Sequence, residues 1–356
     1  MIFKIGKIPI GENYPTYFIA DIAANHDGSL ERAKMLIRLA KEAGADAAKF
    51  QNFRAPKIVS EYGFTHMNAQ VSHQATWKES VTEVYSAASI PFEWTPILKE
   101  VCDEIGIDYF SSPYDFDAID MLDSYVPAYK IGSGDITWIE ACERIARKGK
   151  PVLLATGASD IGDVQRAVHA ILDINPKLVL MQCNTNYTAA DGNFDNIHLN
   201  VLRTFQNMFP DVILGLSDHT HGHATVLGAV ALGARVVEKH FTDDNDRVGP
   251  DHTFAMNPLS WADMVTAIRQ LERSMGSGDK FVADNERETV VVQRRCLRAA
   301  RDVEPGEILT REMVDVLRPA TPGALMPYEM QDVIGLKALA RIPAGQELRW
   351  TQFGTP

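Results

Sequence analysis

The chain has 356 residues, of which 46% are hydrophobic and 23% charged, with a formal net charge of −12. That length exceeds what one core usually serves, so one large domain with a smaller one is expected. The acidic balance argues against nucleic acid or an anionic membrane as a general partner, but it leaves room for a small anionic substrate in a locally basic site.

The N-terminal stretch MIFKIGKIPIGENYPTYFIA has no long apolar run behind its lysines, so no signal peptide is read there. Strand-like segments then recur at 16–23, 47–53, 108–114, 128–134, 151–157, 178–184, 212–219 and 235–241. Most are near-continuous apolar runs, the pattern of parallel strands covered on both faces. Helix-like stretches lie between most of them. In residues 29–43, Ser29 can cap the N-terminus, Leu30, Ala33, Leu36, Ile37 and Ala40 form an apolar stripe, and Gly44 stops the helix. The same ending, a helix, a Gly and the next strand, returns in AGADAAKF, IGIDYF and LGARVVEKH. Eight strands with intervening helices predict an α/β fold, a (β/α)8 TIM barrel, over residues 1–275. An open doubly wound sheet is the alternative, but no G-x-G-x-x-G follows the first strand.

Residues 276–290 read as a linker. Within 291–356, the segment VEPGEIL (303–309) is echoed by IPAGQEL (342–348), which predicts a small, β-rich, pseudo-duplicated domain. The four cysteines, Cys102, Cys142, Cys183 and Cys296, are far apart and form no Cys-x-x-Cys motif. They read as reduced, buried thiols of a cytoplasmic enzyme. No apolar run is long and charge-free enough to span a bilayer.

A barrel of this kind carries its site at the carboxyl ends of the strands. Polar residues gather there: Asp21, Asn25 and His26; Lys49 and Gln51; Ser111 and Ser112; Lys130, Ser133 and Asp135; Thr156; Asn184 and Tyr187; Ser217, Asp218 and His219; Glu238 and His240. His219 and His240 end the seventh and eighth strands, so they are neighbours at one rim. Neutral imidazoles there can share a divalent metal such as Mn, Fe, Co or Zn, or each can simply bond a backbone carbonyl. His221 and His223 follow in a loop and read as solvent-facing or helix-start residues. Lys49 and Lys130 lie inside apolar strands, where an unpaired ammonium is costly, so each should meet an anion. That anion can be a phosphate and a carboxylate on one small molecule, or the structural carboxylates of Asp21, Asp135 or Glu238. A Schiff-base lysine is a third reading. Of the acids in 241–254, Asp251, after Gly249-Pro250, is the one placed near the metal.

At these residues the sequence resembles the sialic acid synthase (N-acetylneuraminate synthase) family. The matching stretches are ANHDGSLERAK, GADAAKFQ, FSSPYD, VPAYKIGSGD, GKPVLLATG, GLSDHT, LGAVALGARVVEKHFT and DRVGPD, and the tail RRCLRAARDVEPGEILTREMVDVLRP is similar to that family's antifreeze-like (SAF) domain. The resemblance implies condensation of phosphoenolpyruvate with an N-acetylmannosamine-like aldose to a nine-carbon 2-keto acid and phosphate. It implies that Lys49, Gln51, Ser112, Lys130, Ser133 and Ser217 hold phosphoenolpyruvate, that His219 and His240 bind the metal, manganese first, with magnesium, cobalt or zinc as alternatives, and that Asp135, Tyr187 and Asp251 meet the sugar. Arg318 would reach in from a partner subunit of a domain-swapped homodimer. This chain departs from the family pattern in having Asp21 and Asp135 for Glu, and Ala155 for Ser. It also has Cys183-Asn-Thr-Asn-Tyr187-Thr for C-T-x-x-Y-P, which leaves the polar role to Asn184 or Asn186. Asp21 takes the part of the family's glutamate, positioning or deprotonating the attacking water. No role is assigned to 61–81.

Overall fold

The computed structural model describes residues 1–67, 79–188 and 190–355. Eight strands, β1 (Tyr17–Asp21), β2 (Ala47–Asn52), β3 (Asp108–Pro113), β4 (Tyr129–Ile131), β5 (Val152–Ala155), β6 (Leu178–Cys183), β7 (Ile213–Asp218) and β8 (Ala234–His240), form one sheet in the order β3-β2-β1-β8-β7-β6-β5-β4. Every ladder in it is parallel. β3 and β4, the two ends of that order, lie side by side and close the barrel.

The period of two along each strand sorts its side chains into two layers. Tyr17, Ile19, Ala47, Phe110, Ala128, Leu153, Val179, Met181, Ile213 and Val236 share one buried cluster, which is the barrel interior. Their sequence neighbours Phe18, Ala20, Ala48, Tyr109, Tyr129, Leu154, Leu180, Leu214 and Val237 belong to a second cluster packed on the helices. Both faces are covered, which is why the strands read as continuous apolar runs. An antiparallel hairpin, Phe3–Ile5 with Ile8–Ile10, was not expected from the sequence. Its Phe3, Ile5 and Ile10 join the interior cluster beside Tyr17 and so plug the amino-terminal end of the barrel.

The helix α1 (Leu30–Glu42) shows how the sequence sets an element. The Ser29 hydroxyl accepts from Arg32 N at 3.3 Å, and Ala33, Leu36, Ile37 and Ala40 are buried as the stripe required. Gly44, Gly106 and Gly233 all have positive φ, between 71° and 100°, so the repeated glycine is a left-handed helix stop that a side chain would strain. Further helices follow: α2 (Trp94–Ile105), α3 (Phe116–Leu122), α4 (Ile139–Ala146), α5 (Ile161–Leu172), α6 (Val201–Met208), α7 (Ala224–Ala231) and α8 (Pro258–Met275). None is long and apolar enough to cross a membrane.

The chain divides into two compact units, Met1–Gly276 and Ser277–Pro356. The stretch read as a linker holds a 3-10 turn, Asp284–Glu286, and the start of a helix, Arg287–Gln293. In the second unit the sequence echo is a structural one. Val303 and Ile342 exchange both backbone hydrogen bonds at 2.9 Å, and both are fully buried together with Leu309 and Leu348. Gly306 and Gly345 turn the two copies alike, with φ of 90° and 81°. Short antiparallel pairs, Cys296–Ala299 with Val314–Leu317 and Lys337–Ala338 with Phe353–Gly354, complete the unit.

Candidate active site at the carboxyl ends of the strands

The inward face of most strands ends in polar residues. β1 runs Tyr17, Ile19, Asp21; β2 runs Ala47, Lys49, Gln51; β8 runs Val236, Glu238, His240. Parallel register brings Lys49, Asp21 and His240 level on three adjacent strands, and pairs Gln51 with Ser112 and Ser217 with Glu238. The result is a cavity of about 380 Å³ lined by Asp21, Lys49, Gln51, Ser112, Lys130, Ser133, Asp135, Tyr187, Ser217, His219, His240 and Asp251, all of them expected from the sequence. Phe53, Ile58, Val84 and Tyr85, from the β2–α2 connection, also line it. Residues 68–78 of the segment 61–81 lie outside the described residues.

At the centre are four charged side chains, each at most 5% exposed. The Lys49 ammonium pairs with Asp21 and lies 3.5 Å from Glu238 Oε1, while Lys130 Nζ lies 3.1 Å from the same oxygen. Two cations and two anions alternate, which is what lets them stay buried. Burial alone would lower the Lys49 ammonium, but Asp21 and Glu238 outweigh it and hold it above its ordinary value. Burial works to raise the Glu238 carboxyl, yet Lys130 and Lys49 pull it down to about 2. Burial lifts Asp21 above the usual carboxylate range against the pull of Lys49. Glu238 is the residue that sequence reasoning undervalued. The pattern offers it as a structural partner of the lysines, although its spacing of two from His240 puts both on one face.

The histidines form one wall, with ring centroids 5.4 Å apart. His219 Nδ1 lies 2.8 Å from the Asn184 carbonyl, so that nitrogen carries the proton and Nε2 keeps its lone pair. His240 Nδ1 is buried without a hydrogen-bond partner among the described residues, 3.8 Å from Asp251 Oδ2. Burial, with the other imidazole next, pushes His219 down to about 4; burial, with the Lys49 charge next, pushes His240 to about 3. Both rings are therefore neutral near pH 7, the form that ligates a metal. No group of three or more metal-binding side chains exists among the described residues. Two imidazole donors, one with an orphaned nitrogen beside a carboxylate, nevertheless fit a divalent cation that takes its remaining ligands from water and substrate.

The remaining members are polar and only partly engaged. Ser112 Oγ has no hydrogen-bond partner among the described residues, whereas Ser133 Oγ accepts from Gly157 N at 2.9 Å. Burial pushes Asp251 up to about 7 and Asp135 up to about 6, the latter despite Lys130. Of the other expected residues, one turns its side chain from the cavity and one belongs to the second unit. The Asn184 side chain donates to Asn196 O at 3.2 Å in an adjoining recess with Ala158, Thr185 and Asn186, and only its carbonyl serves the site, through His219. Arg318 is an exposed residue of the second unit, just after the strand Val314–Leu317. Other tip residues face away: Ser111 bonds Asn52, and Asp218 pairs with Lys239 on the outer face.

A parallel barrel whose strand ends converge cations, imidazoles and carboxylates on one small cavity is built as a barrel enzyme is. Residues 36–280 match the NeuB family and residues 294–354 the SAF domain, and the chain belongs to the NeuB family. It is 33% identical over 355 residues to the N,N'-diacetyllegionaminic acid synthase of Legionella pneumophila, covering 98% of this chain and 97% of that protein. It is 32% identical over 312 residues to the N-acetylneuraminate-9-phosphate synthase of Homo sapiens, covering 86% and 84%. The crystal structure of the N-acetylneuraminic acid (sialic acid) synthetase of Leptospira borgpetersenii superposes with a TM-score of 0.71 at 27% identity, over 82% of this chain and 95% of that one.

Proposed function

We propose that this protein condenses phosphoenolpyruvate with an N-acetylmannosamine-like aldose, giving a nine-carbon 2-keto acid and inorganic phosphate. The observation that carries the reading is the meeting in one cavity of two buried ammonium groups and two neutral imidazoles. Lys49 and Lys130 hold the phosphate and carboxylate by charge, with Gln51, Ser112, Ser133 and Ser217 completing the contacts. Asp135, Tyr187 and Asp251 orient the sugar, and Asn184 acts through its carbonyl on His219. C3 of phosphoenolpyruvate attacks the aldehyde carbon, and the aldehyde oxygen takes a proton as it becomes a hydroxyl. The cationic C2 takes water, whose proton passes to Asp21, and the tetrahedral intermediate expels phosphate by C–O cleavage as the C2 hydroxyl proton leaves with the phosphate and C2 becomes the ketone. His219 and His240 would hold a divalent metal, manganese first, with magnesium, cobalt or zinc as alternatives, and this supplies Lewis-acid polarisation of the aldehyde when bound.

A Schiff-base aldolase is disfavoured because Asp21 and Glu238 keep Lys49 cationic, and a cationic amine is no nucleophile. A non-catalytic carbohydrate-binding protein leaves the buried charges without a task. The second reading keeps the chemistry and changes the acceptor to a legionaminic, pseudaminic or deaminated precursor, or to a 6-phosphorylated aldose. It is favoured by relatives whose names carry different sugars. The protein would act in the cytoplasm as a domain-swapped homodimer, Arg318 of each subunit serving the other's barrel. Incubation with phosphoenolpyruvate, Mn²⁺ and a panel of aldoses, with and without chelator, tests the reading. A nine-carbon keto acid and phosphate in equal amounts are expected, with loss of both on chelation. Pyruvate trapped on lysine by borohydride would contradict it.

A further inference from the structure

The loop after β8 is tied to the loop after β1 by a set of side chains outside the cavity. Asp27 is the hub. Its Oδ1 lies 2.9 Å from His252 Nε2, and its Oδ2 accepts from Arg247 Nε and Nη2 at 3.0 and 2.8 Å. Arg32, on α1, lies 3.2 Å from the same oxygen, donates to Asn25 O at 2.8 Å, and donates to Asp243 Oδ2 at 3.0 Å. His252 is fully buried, and its other nitrogen meets Thr242 Oγ1 at 2.7 Å. The loop is also stitched internally, by Asn245 Nδ2 to His252 O and Ala255 O. Packing is tight enough that a Cβ on Gly249 would lie 2.6 Å from His252 Cδ2. Between Gly249 and His252 stands Asp251, whose Oδ2 accepts from Ala24 N of the β1 loop at 3.3 Å while the residue lines the cavity.

We propose that Asp27 and His252 are positioning residues for the sugar: together with Arg32 they clasp the β8 loop so that the Asp251 carboxylate is held in the acceptor part of the cavity. A free loop of this length would sample many backbone states, and a catalytic or binding group is effective only when held close to its productive geometry. The clasp supplies that restraint from two directions, a buried imidazole below and guanidinium groups at the rim. The proposal rests on the reading of the cavity as the site of phosphoenolpyruvate–aldose condensation.

Asp27→Asn is the test. Asp27 has φ of +49°, a left-handed conformation that Asn adopts readily, so the substitution removes the charge and leaves the backbone. Amide exchange of residues 243–254 should accelerate about tenfold while the barrel strands keep wild-type protection. In steady-state assays the KM for the aldose should rise about tenfold, with the KM for phosphoenolpyruvate unchanged within about twofold. Asp27→Asn added to Asp251→Asn should raise the aldose KM no further, because Asp27 acts through Asp251. Arg247→Ala, at the exposed rim, should move both readouts the same way by less. Unchanged exchange in the loop overturns the clasp. A mobile loop with an unchanged aldose KM, or a full Asp27 effect in the Asp251→Asn background, overturns its role in acceptor binding. If the wild-type protein condenses no aldose, the parent reading fails by itself, and the exchange rates still decide the clasp.

Discussion

Among the described residues Lys130 pairs with Glu238, and Glu238 is shared with Lys49. Removing Lys130 therefore does two things: it takes a cation from an incoming trianion, and it leaves Glu238 buried with half its compensation. Lys130→Ala should raise the KM for phosphoenolpyruvate about 100-fold, the worth of one charge-assisted contact. Steady-state kinetics at saturating aldose checks this, and a change below about threefold would remove Lys130 from the anion site. Asp135 carries a pH prediction. Burial raises its folded carboxyl to about 6, from an ordinary 3.8, despite Lys130. The folded protein thus holds a proton that the unfolded chain releases, and this group's contribution to stability is present below pH 4 and lost as pH rises towards 6. Asp135→Asn removes that titration. Relative to wild type, the variant should gain about 2 kcal/mol between pH 4 and pH 7 in urea unfolding. A constant difference across that range would show that the carboxyl ionises as in water.

At the scale of elements, β7 and β8 show what a sequence can and cannot disclose. Their runs were legible as strands because both faces are apolar, and His219 and His240 were legible as tips because polar residues follow the last apolar ones. The period of two also disclosed, in principle, that Glu238 shares the face of His240. What it could not disclose is the partner of Lys239. That lysine points outward, where local pattern predicts apolar packing, and it is buried against Asp218, which also accepts from Thr220 and from Thr225 Oγ1 at 2.6 Å. The pair is set by register between β7 and β8, a non-local fact. The β8 loop clasp was invisible for the same reason, since Asp27 and His252 are 225 positions apart. The Asp218–Lys239 pair ties together the two strand ends that carry the imidazoles. Lys239→Met alone strands a buried carboxylate and should cost about 3–5 kcal/mol, whereas Asp218→Leu with Lys239→Met should recover most of that loss. Denaturant unfolding of the three proteins decides it: a double variant as unstable as the single one would mean that the charges themselves, and not an unpaired one, sustain the strand ends.

At the scale of the whole molecule, the chain holds two cores of different logic: a barrel whose polar strand ends converge, and a small unit built on two copies of one turn. The second was legible because the echo keeps its apolar ends and its glycine at fixed spacing. Its purpose was not, since spacing says nothing of what an exposed surface meets. Arg318 concentrates that question. It is exposed, and it sits where Pro319 and Pro322 restrict the backbone, so its guanidinium is presented by a stiff segment with little entropy left to lose. A planar guanidinium with several fixed donors suits the carbonyl and hydroxyl oxygens of a sugar. If Arg318 serves a partner's barrel, Arg318→Ala should raise the aldose KM and leave phosphoenolpyruvate binding intact. Assayed with aldose and phosphoenolpyruvate well below the raised KM values, Arg318→Ala protein mixed with Lys130→Ala protein should then recover activity that neither shows alone. In a hybrid dimer the Lys130→Ala subunit lends its intact Arg318 to the partner's intact barrel, so one site of two works. Random exchange of equal amounts makes half the dimers hybrids, which sets the recovered activity at about one quarter of wild type. Subunit exchange, followed by native mass spectrometry on differently labelled chains, must accompany the assay. Exchange without recovery would place each Arg318 over its own barrel, and an unaltered aldose KM in Arg318→Ala would take the residue out of the site altogether.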